Sequence, residues 1–505
     1  MSVDVSFDAF ARVYEAGAPQ LVATTLVADL ETPVSAFLKI SCGREGNVFL
    51  LESVEGGATR GRYSMIGLDP DIVWRARDGK AEINRKALTD ADAFVPCPER
   101  PLDALRALIA ESAIPAREGL PPMAAGVFGY LGYDMVREME RLAAPKPDPI
   151  GVPDAIMIRP TAMVVFDAVR DEISIVAPAR PQPGVSARAA YDRALERIDA
   201  LVATLDSPLE HDASADPRLM AQAPRSNTPE PRFLEMVARA KEYIKAGDIF
   251  QVVLSQRFTA PFALPAFALY RALRRVNPAP FLCFLDFGPF QVVCSSPEIL
   301  VRVRDGQVTI RPIAGTRWRG ATKAEDEALA AELLADEKER AEHLMLLDLG
   351  RNDVGRVAEI GTVDVTEQFA IERYSHVMHI VSNVVGRLDP RHDCIDALSA
   401  GFPAGTVSGA PKVRAMEIID ELEVDKRGIY GGCIGYFGAS GEMDTCIVLR
   451  TSIVKDGLMH AQAGAGIVYD SEPEYEHREC INKAKALFRA AEEAVRFATR
   501  AKRGQ

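Results

Sequence analysis

The sequence predicts an α+β fold, on three observations. Strand-like and helix-like stretches follow one another irregularly, without the regular βα alternation of a doubly wound parallel sheet. At 505 residues, 48% of them hydrophobic and 26% charged, the chain can bury a large core and fill two or more domain-sized units. No internal repeat of solenoid period is present.

The elements read in order as follows. The first region, 1–205, carries strand-like stretches at 46–52, 64–76, 123–129 and 161–166 among short helices. Residues 206–230 turn to Pro, Asp, Ala and Ser without period, the composition of a linker or long surface loop. The second region, 231–505, opens with a helix over 233–246 and continues with strands at 251–258, 281–285, 291–294, 308–313 and 447–453. A helix over 325–346, crowded with acids, is expected to stop at Gly350, after which the chain turns sharply. The segment 374–385 reads as a strand. On it His376 and His379 point to opposite faces because side chains alternate, so they cannot share a metal. A helix starts near Pro411, after the Gly405-Thr406-Val407-Ser408-Gly409 loop, and another is opened by Ser471 and Pro473.

Composition narrows the function classes. A net charge of −13 argues against a nucleic-acid surface. No run of 18 apolar residues exists, and the N-terminus lacks a basic stretch followed by an apolar core, so neither a membrane span nor a secretory signal is expected. The eight cysteines are scattered with no Cys-x-x-Cys and read as reduced thiols of a cytoplasmic protein. No dinucleotide fingerprint and no P-loop is found.

Two acidic pairs carry the most information: Glu339 with Glu342, and Glu476 with Glu479, each three apart on a helical segment. Such residues are surface neighbours, where like charges cost a few tenths of a kcal/mol. A divalent ion such as Mg2+ makes the arrangement favourable, since it suits carboxylate oxygens and leaves positions open for water or an anionic substrate. A single Glu-x-x-Glu in so acidic a helix is ordinarily a solvated face. The two pairs gain meaning from the blocks around them: 343–353, Arg311-Pro312-Ile313-Ala314-Gly315-Thr316-Arg317, the Gly405 loop with Pro411 and Lys412, and Gly464-Ala465-Gly466-Ile467-Val468-Tyr469.

At these residues, and over about 233–497, the chain resembles the chorismate-utilising enzymes, the family of anthranilate, aminodeoxychorismate, isochorismate and salicylate synthases. The resemblance implies a two-domain antiparallel β-sandwich with helices on the outside and the active-site cleft in the second region. It implies that Mg2+, held by Glu339, Glu342, Glu476 and Glu479 partly through water, binds the ring carboxylate of chorismate. Tyr430, Arg450, Gly466 and Lys483 would face the pyruvyl group with Thr406 nearby, and Gly315, Thr316, Gly464 and Ala465 would complete the substrate site. Glu298 matches the general acid that protonates the departing C4 hydroxyl, for which it must stay protonated. His379 matches the residue that removes the C2 proton.

Two positions discriminate within the family. Members that add water at C2 use a lysine where this chain has Gln251, and a neutral amide cannot deprotonate water. Many aminodeoxychorismate synthases carry a nucleophilic lysine where Ala314 stands. Ammonia is then expected to attack C2 directly, giving anthranilate after pyruvate elimination. An aminodeoxychorismate or aminodeoxyisochorismate synthase remains an alternative, as does a catalytically silent regulatory subunit. No Gly-x-Cys nucleophile turn of a glutamine amidotransferase is found, so a separate amidotransferase subunit would supply ammonia, in a heterotetramer. L-Tryptophan is the expected inhibitor, bound by Leu51, Glu52 and Ser53 with Asn277, Pro278, Ala279 and Phe281.

Overall fold

The computed structural model describes residues 3–55, 59–209, 223–374 and 377–500. Helix and antiparallel sheet are mixed as expected, and every named strand pairing is antiparallel.

Two long strands organise the sheet. Thr59–Arg77 pairs along its length with Ala155–Asp167, and the register breaks between Pro70 and Ile72, where a proline cannot donate to the ladder. On one side of that break the pair continues through Val48–Glu55, Phe281–Asp286, Gln291–Ser296, Thr451–Lys455 and Leu458–Ile467 to Gln251–Pro261. On the other side it continues through Gly126–Leu131, Cys433–Gly438, Met443–Ile447, Ile299–Arg304 and Gln307–Ile310 to Val377–Arg387. The two sequence regions are therefore interleaved in space: Phe281 pairs with Ser53, and Cys433 with Leu131.

Side-chain alternation explains why these strands are buried on both faces. Phe49, Leu51, Cys283, Leu285, Phe128 and Tyr436 point into a core between the sheets that contains no helical residue. Their neighbours Val48, Leu50, Leu282 and Phe284 point outward onto a second core shared with Phe37, Leu269 and Leu273 of the helices Pro33–Ser41 and Ala266–Val276. A third core packs the helices Glu230–Lys245 and Lys412–Leu422 against Gln251–Pro261, and Glu337–Gly355 against Ile313–Trp318 and Val377–Arg387.

Several elements differ from the sequence reading. The helix expected over 325–346 is two helices, Lys323–Ala335 and Glu337–Gly355, because the Asp336 carboxylate caps the second by accepting the Lys338 and Glu339 amides at 3.0 and 3.2 Å. Gly350 does not stop that helix. A Cβ there would stand 3.3 Å from Pro312 Cγ, so the glycine serves a close helix–strand approach, and Arg351, Asn352 and Asp353 remain helical. The strand expected over 308–313 breaks at Arg311-Pro312 into Gln307–Ile310 and Ile313–Trp318, both pairing with Val377–Arg387. The strand expected over 447–453 is the junction of Met443–Ile447 and Thr451–Lys455, interrupted by Arg450 at φ 49°. The segment 374–385 begins its strand only at Val377, as the second arm of a hairpin with Asp364–Arg373; His376 lies outside the described residues, as does most of the 206–230 segment.

Candidate active site

Glu298 occupies the turn joining Gln291–Ser296 to Ile299–Arg304. Its carbonyl accepts the Ile447 amide at 3.0 Å and its own amide donates to Ser296 Oγ at 3.4 Å, which fixes the backbone. The side chain is buried, lining a small cavity with Pro312, Leu346, Gly350 and Thr406. Burial disfavours the charged form and lifts its pKa from 4.5 to about 8, against the opposing pull of the Thr406 hydroxyl, the Ile313 amide and the Arg450 charge. At neutral pH Glu298 holds a proton it can donate.

His379 stands opposite Thr316 across the ladder. Its Nδ1 lies 2.9 Å from the Gly315 carbonyl and 3.1 Å from Thr316 Oγ1. A carbonyl oxygen only accepts, so this network assigns the proton to Nδ1 and leaves the lone pair on Nε2. Burial lowers the imidazole pKa and the Arg450 charge adds to the effect, so the ring is neutral at pH 7 and Nε2 can take a proton. The Tyr374 ring packs edge-on at 5.4 Å and limits its rotation.

Arg450 acts electrostatically on both Glu298 and His379, which places these two groups around one guanidinium. Among the described residues it forms no ion pair, although burial opposes its charge. An arginine cannot shed that charge, so an anion from outside is the favourable partner.

The carboxylate pairs sit at the starts of two helices. Asp336 sets Glu339 in the first turn of Glu337–Gly355, with Glu342 one turn on. Glu476 lies in the first turn of Pro473–Arg500, with Glu479 beyond it. Positive helix ends favour both placements. Each pair has one member bound to a cation: Glu339 Oε1 to Arg317 at 3.0 Å, and Glu479 Oε1 to Lys483 Nζ at 2.6 Å. Glu342 and Glu476 have no such partner among the described residues. Both pKa values are raised, first by burial and then by like charge, Glu339 acting on Glu342 and Glu479 on Glu476. Lys338 and Lys483 act on Glu342 and Glu476 alike, so the two helix starts converge. The described residues do not gather three of the four carboxylates around one point. Two crowded, uncompensated carboxylates of this kind fit a hard divalent cation.

Small residues bring these parts together. Gln251, buried, donates from Nε2 to Glu342 Oε1 at 3.3 Å, and its Oε1 has no partner. A Cβ on Gly466 would fall 2.5 Å from that Nε2, and one on Gly315, at φ +69°, would fall 3.1 Å from Glu339 Oε2. Gly464, Ala465 and Gly466 lie against Ser255, Leu254 and Val253. Tyr430 is buried beside Gly464, whose carbonyl accepts from Lys483 Nζ at 3.0 Å. Lys483, expected to face the pyruvyl group, also pairs with Glu479 and donates to the Gly464 carbonyl. The Gly405 loop is more than a turn, because Gly409 and Ala410 pair with Val252 and Gln251.

Sequence reasoning missed the ties behind the site. Arg427 and Glu423, both buried, bond each other at 2.6 Å; Glu423 also accepts from the Ser255 amide and hydroxyl, and Arg427 donates to the Val407 and Val253 carbonyls. This pair fixes the Gly405 loop to the strand that carries Gln251. Its four-residue helix-like spacing was the available signal, but nothing in the sequence marks it as buried.

Of the residues expected to bind tryptophan, Leu51, Glu52, Ser53 and Phe281 line one cavity of about 580 Å³ between the sheets. Asn277, Pro278 and Ala279 do not line it. The Asn277 amide ends the helix Ala266–Val276 on the Leu273 carbonyl, and its own carbonyl accepts from Ser295 Oγ. Glu52 is committed as well, accepting from Tyr270 Oη and, at 2.7 and 2.9 Å, from Arg274.

An antiparallel sheet folded into layers, with an acid and a base around an arginine that has no ion pair among the described residues, defines a class, and the comparisons agree: residues 51–489 match the model of the chorismate binding enzyme family, to which this chain belongs. Within it, the chain is 58% identical to "Anthranilate synthase component 1" of Cereibacter sphaeroides over 99% of this chain and all of that one. It is 48% identical to the protein of the same name from Pseudomonas aeruginosa over 93% of this chain and 95% of that one. The crystal structure of anthranilate synthase component I from Streptococcus pneumoniae superposes with a TM-score of 0.74 at 36% identity, covering 92% of this chain and 99% of that one. The menaquinone-specific isochorismate synthase of Escherichia coli, 20% identical with a TM-score of 0.68 over 95% of this chain and 99% of that one, shares the fold.

Proposed function

We propose that this chain is the large subunit of an anthranilate synthase, converting chorismate and ammonia to anthranilate and pyruvate. The observation that carries the reading is the complementary pair around Arg450: Glu298 protonated by burial, and His379 neutral with Nδ1 anchored on Gly315. Opposed pKa shifts of this kind assign acid and base.

Arg450 seats the pyruvyl carboxylate. Ammonia adds to C2 of the ring while Glu298 gives its proton to the C4 oxygen, which leaves as water as the double bonds move. His379 Nε2 then takes the C2 proton, and the electron pair expels the C3 enolpyruvyl oxygen; proton uptake turns the enol into pyruvate and leaves the aromatic ring. Gln251, at the edge of the carboxylate cluster, offers no base to activate water, and Ala314 no amine to attack the ring, which leaves ammonia as nucleophile. Mg2+ bound by Glu339, Glu342, Glu476 and Glu479 would neutralise the ring carboxylate against the cluster's negative charge.

The ammonia donor is a separate glutamine amidotransferase subunit, and L-tryptophan is the inhibitor, held in the cavity lined by Leu51, Ser53 and Phe281. That volume lies in the usual range for small-molecule sites.

One assay tests the reading. Purified chain with chorismate, Mg2+ and an ammonium salt should produce anthranilate, followed by its fluorescence and mass, with a rate that rises with pH as free ammonia increases. Glutamine should support turnover only after an amidotransferase subunit is added. Glutamine-driven turnover by the chain alone, or a 4-amino product, would refute it.

A further inference from the structure

Among the described residues one set of three possible metal ligands is gathered on a point, and it is made of thiols. The Sγ atoms of Cys283, Cys294 and Cys446 all lie within 4.8 Å of one another. All three are buried. Cys283 and Cys294 are direct partners in the hairpin Phe281–Asp286/Gln291–Ser296, while Cys446 comes from Met443–Ile447 in the other sheet, so the trio spans the core between the layers. Nothing in the catalytic reading uses them.

We propose that this trio is a binding site for a soft, closed-shell monovalent metal ion of the Cu(I) type. Thiolates are soft ligands that suit Cu(I), Zn(II) and iron–sulfur clusters. Three sulfurs with no histidine or carboxylate in the group make a three-coordinate site, whereas structural Zn(II) takes four ligands. Metal–sulfur bonds of about 2.3 Å place three sulfurs about 4 Å apart, so closing the trio takes a movement of about 1 Å or less. The route in is present: Cys283 and Cys446 line the cavity of about 580 Å³, and Cys294 stands behind them.

Two of the three thiols bind as thiolates and give their protons to solvent, the third sulfur completes the coordination as a thiol, and copper stays Cu(I) throughout, so no electron donor or acceptor is needed. The loaded cluster carries one net negative charge.

The test uses the full chain, reduced under anaerobic conditions, with Cys42→Ala as background to remove the exposed thiol. Cu(I) is titrated against a chromophoric Cu(I) chelator, and X-ray absorption is recorded on the folded, loaded protein. One copper per chain is expected, with three sulfur ligands at about 2.3 Å and no nitrogen or oxygen ligand. Cys294→Ala should lose stoichiometric binding, and Cys480→Ala should keep it. The ligand set on the otherwise unsubstituted chain decides the matter even if Cys294→Ala does not fold. Copper bound through nitrogen, oxygen or fewer than three sulfurs, binding retained by folded Cys294→Ala, or a Cys283–Cys294 disulfide in the protein as isolated would overturn the proposal.

Discussion

Replacing Glu298 by Gln should abolish activity and yet stabilise the protein, by an amount that depends on pH. The folded chain holds the Glu298 carboxyl at a pKa of about 8, against 4.5 for the unconstrained group. Between those values the folded state keeps a proton that the unfolded state has released, so stability falls as pH rises from about 4.5 to about 8 and is level outside that window. At pH 7 the span from 4.5 is 2.5, and at about 1.4 kcal/mol for each pH step the native site forgoes up to about 3 kcal/mol, approaching 5 above pH 8. Glutamine has nearly the same shape and no charge to desolvate, so Glu298→Gln recovers that energy. The difference in unfolding free energy between variant and parent, from urea melts, should be below about 1 kcal/mol at pH 5 and reach about 3 kcal/mol at pH 7. Loss of a general acid should lower the ammonia-dependent rate by about 10²–10⁴. A stability gap that stays constant from pH 5 to 8, or a variant within tenfold of parental activity, would refute the buried-acid argument.

Four further outcomes are expected. His379→Ala should still add ammonia but fail to lose the C2 proton, so the aminodeoxyisochorismate adduct accumulates in mass spectra; loss of both steps would remove His379 from the base role. The pH profile of the glutamine-driven rate should be bell-shaped, with its upper limb near 8 from Glu298 and its lower limb below the ordinary imidazole value of about 6.5, because His379 is lowered. Glu342→Gln and Glu479→Gln should each lose turnover and Mg2+ binding, by calorimetry, while remaining folded, and full activity in excess chelator would exclude the metal. Ser53→Ala should relieve tryptophan inhibition with the uninhibited rate intact, whereas Glu52→Ala should also cost about 2 kcal/mol of stability, less than a fully buried pair because Arg274 keeps some exposure.

The sequence by itself determined the fold class and the family, and it picked out the candidate chemistry-bearing residues. Glu-x-x-Glu at helical spacing, a proline and a serine at a helix start, and alternation that turns His379 to one face are local rules, and local rules act on neighbours in the chain. What they could not supply is which distant group stands beside which. Asp336 split one expected helix into two, and Gly350 stayed helical because Pro312, far away in sequence, fills the space a side chain would need. Arg450 looked like part of a strand; only the packed sheets show it interrupting one, without an ion pair among the described residues, between an acid and a base. The pairing of Lys483 with Glu479 and of Glu52 with Arg274 also appears only in the packed structure. Burial and the partners of a charge are properties of the assembled core, where desolvation sets a pKa and a neighbour's charge competes with a ligand's, and no window of sequence contains them.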